Sequence, residues 1–255
     1  MTERTSYAPG TPSWVDLGSP DPSAAAAFYG GLFGWTVVFD PRPEAGGYAI
    51  CTLKDRPVAG LGQQTDTGVP PYWTVYVTVV DADASQARAV GHGGTVVVET
   101  MDVLDAGRMG ILQDPGGAIV ALWEPRAHPG AGLVDEPGTF VWAELATGGV
   151  MAARDFYSAV FDWGVDEPAS SHTGAIFSIG GTPTSGAHAA GEGEVPSWTV
   201  WFAVADCDAS AAAVRELGGS VLLPPSDMSF GRGALVADPH GAVFGIGTMG
   251  GRPHG

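Results

Sequence analysis

The sequence predicts an α+β fold of two tandem domains, each built from two βαβββ units, and three observations carry that prediction. The string Trp14-Val15-Asp16-Leu17, followed by Phe28-Tyr29, Phe33 and Trp35, returns 128 positions later as Trp142-Ala143-Glu144-Leu145, followed by Phe156-Tyr157, Phe161 and Trp163. Self-similarity at fixed spacing marks two copies of one folding unit. Within each copy an extended segment is followed by a helical one twice over, so each copy holds a shorter repeat. Finally, the turn signals Asp114-Pro115-Gly116-Gly117 and Asp238-Pro239-His240-Gly241 fall at matching places near the end of each copy.

The elements follow in order. Trp14–Gly18 reads as a strand and leads to Asp21-Pro22, an N-cap with proline at the first helical position, then to an Ala-rich helix ending in Phe28, Tyr29 and Phe33. Trp73–Val79 alternates at period 2 and continues through Asp83 into a short helix closed by Gly93-Gly94. Gly110–Gln113 and Ile119–Trp123 are extended on either side of the Asp114 turn. The second copy repeats this with Thr139–Ala146, a helix over Ala152–Phe161, strands near Ala175–Ile179 and Thr184–His188, Trp198–Ala205, and a helix over Asp208–Leu217. The domains are expected at residues 11–124 and 139–248, joined by a Pro/Gly-rich linker over 125–138, with frayed tails at 1–11 and 248–255.

Composition narrows the partners. A chain of 255 residues that is 45% hydrophobic can fill a core in each of two domains. No apolar run approaches the roughly 20 residues a membrane helix needs, and the polar start lacks the marks of a secretory signal, so a cytoplasmic protein without a membrane partner is expected. With a formal charge of −17 and Lys54 the only lysine, the chain would repel a phosphate backbone, which argues against nucleic acid. Cys51 and Cys207 fall in different copies with no metal-site spacing and read as buried small hydrophobes.

The paired strands, the Phe28-Tyr29-Gly30-Gly31-Leu32-Phe33-Gly34-Trp35 helix and the Asp-Pro turns at Asp114 and Asp238 together resemble the vicinal oxygen chelate superfamily, which includes glyoxalase I, extradiol dioxygenases and bleomycin-resistance proteins. The resemblance runs from about Thr11 to Thr248. It implies tandem glyoxalase-like domains, each a curved, cup-shaped sheet with the ligand on its concave face. Metal-using members hold a divalent ion with four N/O ligands that polarise a substrate oxygen. The matching positions here are Trp14, Gly60, Thr74 and Ala121 in the first domain and Trp142, Gly186, Thr199 and Gly245 in the second. None is an ordinary ligand for such an ion, so no catalytic metal and no cofactor is expected.

What remains in each cup points to chemistry of another kind. If Trp14 faces the cup, strand alternation turns Asp16 inward too, and the same parity turns Trp142 and Glu144 inward. A carboxylate in a partly dry cup has a raised pKa and can serve as a general acid or base. The competing expectation is an ion pair, with Arg108 or Arg232, which also correspond between the copies. His188 matches Gly62 and shares the parity of Gly186, so it can relay protons with Glu144, against the plainer reading of a histidine in a solvent-facing loop. It tilts the choice toward the second cup. His172 and His240 fall in predicted turns.

The candidate catalytic residues are thus Asp16, Glu144 and His188. Trp14, Tyr76 and Trp123 in one cup, Trp142 and Trp201 in the other, and Arg108 and Arg232 are the candidate ligand contacts. Tyr48 and Trp73 cannot be given a face from sequence. Aromatic walls stack on flat molecules, and glycines at the former ligand positions leave room, so the expected partner is an aromatic or polycyclic, polyketide-like small molecule. The first reading is a cofactor-free cyclase, lyase or isomerase of natural-product biosynthesis, working by acid-base catalysis through cyclisation, ketal formation, dehydration or isomerisation. The alternative is a protein that confers resistance by sequestering an aromatic antibiotic. Both fit a monomer with pseudo-twofold domains or a homodimer.

Overall fold

The computed structural model describes residues 2–65, 68–166, 174–228 and 231–248. In the first half these form β1 (Thr2–Glu3), β2 (Pro12–Ser19), α1 (Pro22–Phe33), β3 (Thr36–Phe39), β4 (Ala49–Leu53), β5 (Arg56–Gln63), β6 (Tyr72–Thr78), α2 (Ala82–Gly91), β7 (Thr95–Val103), β8 (Gly107–Gln113) and β9 (Ile119–Pro125). After β10 (Leu133–Val134) the second half follows as β11 (Phe140–Thr147), α3 (Val150–Phe161), β12 (Gly164–Asp166), β13 (Gly174–Ile179), β14 (Thr182–Ala189), β15 (Ser197–Ala203), α4 (Cys207–Glu216), β16 (Ser220–Met228), β17 (Gly231–Ala237) and β18 (Val243–Gly247). The sheets run β3-β4-β5-β2-β6-β9-β8-β7 and β12-β13-β14-β11-β15-β18-β17-β16, one order repeated. In each, the first strands of the two units pair antiparallel at the centre, β2 with β6 and β11 with β15. The tandem architecture read from the repeat is the one observed.

Capping fixes where the helices begin. Asp21 accepts from the Ala24 N–H with Pro22 in the first turn, as expected. The second helices start earlier than Asp83 and Asp208, because Asp81 and Asp206 are the residues that cap Ala84 and Ala209. Asp83 and Asp208 lie in the first turns and are left free to meet arginines on the sheet.

The helical aromatics build a core that belongs to both domains. Phe33 and Trp35 meet Phe202 of the other sheet at ring-centroid distances of 5.1 and 5.5 Å, and Phe28 and Tyr29 reach Phe244. Polar groups within it are paired across the domains. Trp73 Nε1 donates to Tyr29 Oη, which donates to Asp238 Oδ2; Trp198 Nε1 donates to Tyr157 Oη, which donates to Asp114 Oδ2. The other oxygen of each aspartate closes its own turn on the Ala242 or Ala118 N–H. Trp35 Nε1 donates to the Gly138 carbonyl and Trp163 Nε1 to that of Gly10. Gly10 has φ +87° and a Cβ there would lie 2.7 Å from the Phe161 carbonyl, so glycine is required. The repeated Phe-Tyr, Trp and Asp-Pro signals therefore join the domains, with the phenol, indole and carboxylate groups of those signals hydrogen-bonded.

Two expectations about the ends of the domains are corrected. The segment over 125–138 is no free linker, since Ala131 and Leu133 are buried, Ala131 N–H donates to Ser13 O and Gly132 N–H to Pro57 O. Residues 2–11 are not frayed, because β1 pairs with β10 and Tyr7 Oη donates to Ala131 O. Each segment gives the other's backbone its partners. Of the other tail, Thr248 is bonded to Arg232 and residues 249–255 lie outside the described residues.

Candidate functional site

Strand parity holds in both cups. In the first, Trp14, Tyr76, Ala121 and Trp123 form a cluster on the concave face, separate from the shared core, and Ile50, Met109 and Ile111 lean against it. The three aromatics are 4–6% exposed, so they are buried by the protein itself. The strap after β9 does much of this. Its His128 ring meets Trp14 edge-on at 4.4 Å, and its backbone carbonyl accepts from Trp123 Nε1. Burial lowers the His128 imidazole to about 4, so it faces the tryptophans neutral.

Asp16 sits at the more open end of that cluster and is held by phenols. Tyr76 Oη donates to Asp16 Oδ2 at 2.9 Å and Tyr48 Oη at 3.3 Å, while Trp14 Nε1 donates to Tyr48 Oη. Burial pushes its carboxyl up to about 6, opposed by the hydrogen bonds from Tyr76, Tyr48 and Thr74. Burial beside Asp16 holds both phenols well above their usual range, which keeps them donors. Tyr48 thus takes a cup position, whereas Trp73 points to the shared core.

The second cup uses the same strands differently. Trp142 and Trp201 are register partners on β11 and β15, as Trp14 and Tyr76 are on β2 and β6, but both are only half-buried. Trp142 Nε1 donates to Glu144 Oε2 at 2.7 Å, and Glu144 Oε1 lies 3.4 Å from His188 Nδ1. The far ring nitrogen, Nε2, is 3.5 Å from Glu194 Oε1. The hydrogen bond and charge of Glu144 raise the His188 pKa, so the imidazolium form is favoured. His188 belongs to β14, which corrects the solvent-loop reading: its strand is paired on both sides.

Register explains how one plan gives two sites. His188 pairs with Gly174 on β13, while in the first domain Gly62 lies against Tyr48, its ring carbon 3.4 Å from where a Cβ would be. Large residue and glycine have exchanged strands between the cups. Elsewhere Trp123, Ala121 and Met109 have Gly247, Gly245 and Gly233 as counterparts. The second cup accordingly has less side chain on one wall.

Two sequence expectations change. Arg108 and Arg232 do not meet Asp16 or Glu144: Arg108 pairs with Asp83 at 2.9 Å and Asp102 at 3.1 Å, and Arg232 with Asp208 and, at 3.2 Å, Asp227. Both arginines lie on the helix face, because Met109 and Gly233, one residue on, face the cups. The room at the glycines is in use: a Cβ on Gly60 would lie 1.8 Å from Tyr48 Oη, on Gly186 2.4 Å from Glu144 Oε2, and on Gly245 2.1 Å from the Trp201 indole. His240 closes its turn through its backbone, and His172 lies outside the described residues. Glu194 went unnoticed in sequence, where its Gly-Glu surroundings read as loop.

These residues do not suit the divalent ion of the metal-using enzymes. The eight ligand positions offer Trp, Gly, Thr and Ala, and all three of their glycines are covered by the protein's own side chains. Glu144 and Glu194 flank opposite nitrogens of His188 and so do not converge on one point. Among the described residues no three His, Cys, Asp or Glu side chains do.

The fold and the repeated cups define a vicinal oxygen chelate protein, and the chain belongs to the glyoxalase-like domain family, whose model matches residues 14–122 and 142–246. It is 43% identical to the anthracycline biosynthesis protein DnrV of Streptomyces peucetius, covering 95% of this chain and 94% of that one. To the anthracycline biosynthesis protein DauV of Streptomyces sp. (strain C5) it is 41% identical over the same shares. The 2,3-dioxygenase LapB from Pseudomonas sp. KL28 shares the fold with a TM-score of 0.69 at 14% identity, covering 96% of this chain and 93% of LapB. No helix among the described residues is long and apolar enough to cross a membrane.

Proposed function

We propose that the second cup binds a flat, polyketide-derived aromatic compound against Trp142 and Trp201 and that His188, coupled to Glu144, exchanges a proton with it in natural-product biosynthesis. The observation that carries this reading is a carboxylate–imidazole pair at 3.4 Å in the same half-open cup as two half-buried indoles. The likeness to two anthracycline biosynthesis proteins across nearly the whole chain supports the substrate class.

The chemistry needs no metal or cofactor. An imidazolium held by Glu144 is a proton donor suited to a carbonyl or hydroxyl oxygen, and the neutral ring left behind is the matching base. Indole walls fix one conformer of a flexible polyketone, which favours intramolecular cyclisation, ketal formation, dehydration or isomerisation. Trp142 orients the acid by donating to its second oxygen.

The test is mass spectrometry of chelator-treated protein after incubation with poly-keto and polycyclic aromatic compounds. A new product that disappears in Glu144→Gln and His188→Gln supports the reading, and unchanged turnover in both contradicts it. A second reading, sequestration, is favoured by the closed charge pairing of Glu144 with His188, which leaves stacking as the main contact. Unaltered compound recovered from the denatured complex would decide for it.

A further inference from the structure

Glu194 lies between β14 and β15 and makes a turn with its own side chain. Its Oε2 accepts from the Gly191 N–H at 2.8 Å and its N–H donates to Gly191 O at 3.1 Å, while the Ala190 N–H ties the turn to Thr147 O at the end of β11. The remaining oxygen, Oε1, faces His188 Nε2. A carboxylate fixed in this way loses little further freedom when it meets a charge, which separates it from an ordinary surface pair. The imidazole is flanked by Glu144 from β11 and Glu194 from the turn, and β13 offers only Gly174 opposite it.

The first domain supplies an internal comparison. Where His188 stands it has Gly62, and Gly68 and Val69 occupy the stretch matching Glu194. Its turn is anchored the same way, Gln64 N–H to Ser19 O, but Gln63 and Gln64 direct their amides to backbone carbonyls. Imidazole and fixed carboxylate occur together in the second cup, whereas the first has glycine at the imidazole position and Gly68 and Val69 at the carboxylate's; its Asp66 lies outside the described residues.

We propose that Glu194 is a positioning residue of the second cup, holding His188 against Glu144 so that the ring carries a proton on both nitrogens, with the long 3.5 Å approach at Nε2 leaving that N–H to be taken over by a ligand oxygen. A neutral imidazole would turn a lone pair toward one of the two carboxylates, so the clamp selects the imidazolium. This rests on the reading that His188 exchanges a proton in that cup, and a test that needs no substrate separates the two.

Labelled-histidine NMR, assigned with His188→Gln, follows the ring through pH in the wild type, Glu194→Gln and Glu194→Asp. Glutamine retains an oxygen for the Gly191 N–H and removes only the charge. The midpoint of His188 is expected to fall by about half a pH unit in Glu194→Gln, the size of a modest ion pair, and to recover in part in Glu194→Asp. A His188 titration in Glu194→Gln that overlays the wild type would overturn the proposal. A lowered midpoint in a protein that converts no compound would uphold the clamp while removing the proton-transfer reading.

Discussion

The two cups share one strand plan and part company over which strand carries the large polar side chain. In the first, Tyr48 enters beside β4, Gly62 yields to it, and Asp16 is held by phenols next to a floor of buried aromatics. In the second, Gly174 takes the β13 position, His188 enters from β14, and Glu144 is held by an imidazole and an indole that water reaches. A small change in pairing thus turns a self-filled cup into one with a partly exposed imidazole.

The largest expected effect belongs to Asp16. Its folded pKa of about 6 lies above the unfolded value near 3.8, so the folded state takes up a proton first as pH falls. Stability therefore rises on acidification from 6 toward 3.8, and above 6 the ionised acid costs up to about 3 kcal/mol. Asp16→Asn should raise the unfolding free energy at pH 8 by up to about that amount and flatten the acid-side gain, as measured by urea denaturation across pH.

Next in size, Gly245→Ala places a methyl 2.1 Å from the Trp201 indole. Overpacking of this kind costs about 1–3 kcal/mol. A lower melting temperature is expected, together with a change in tryptophan fluorescence and weaker binding of aromatic compounds. An unchanged emission spectrum would mean that Trp201 does not rest on that glycine.

The smallest stability effect belongs to the His188 pair. Its folded pKa is raised, so its contribution is full below the unfolded value near 6.5 and is lost as pH climbs through the folded one. With His188 42% exposed, solvent screening leaves a few tenths of a kcal/mol. His188→Gln should remove that alkaline-side loss without touching the acid-side gain from Asp16. Arg108→Gln and Arg232→Gln should leave ligand affinity unchanged by titration, because both arginines serve the helices.

Much of this was legible in the sequence, for identifiable reasons. Period-2 alternation from Trp14 and Trp142 gave the inward face of Asp16, Glu144, Tyr76 and Trp201, since parity survives small errors in strand limits. The same rule placed His188 beside Glu144. The partners of each acid were not legible: Tyr48 lies just outside a strand and reaches Asp16 across a chain separation of 32 residues. Arg108 was misread because its match to Arg232 signals a shared role without naming the face, which the adjoining Met109 decides. The 125–138 strap looked like a linker because its Pro and Gly residues mask backbone bonds that only tertiary pairing reveals.

The proposal that the second cup, and not the first, carries the chemistry is tested by measuring turnover and binding of aromatic poly-keto compounds side by side in Asp16→Asn and Glu144→Gln. The account predicts that Asp16→Asn keeps wild-type turnover with a raised melting temperature at pH 8, and that Glu144→Gln loses turnover at nearly unchanged stability. Loss of turnover in Asp16→Asn with full activity in Glu144→Gln would contradict it.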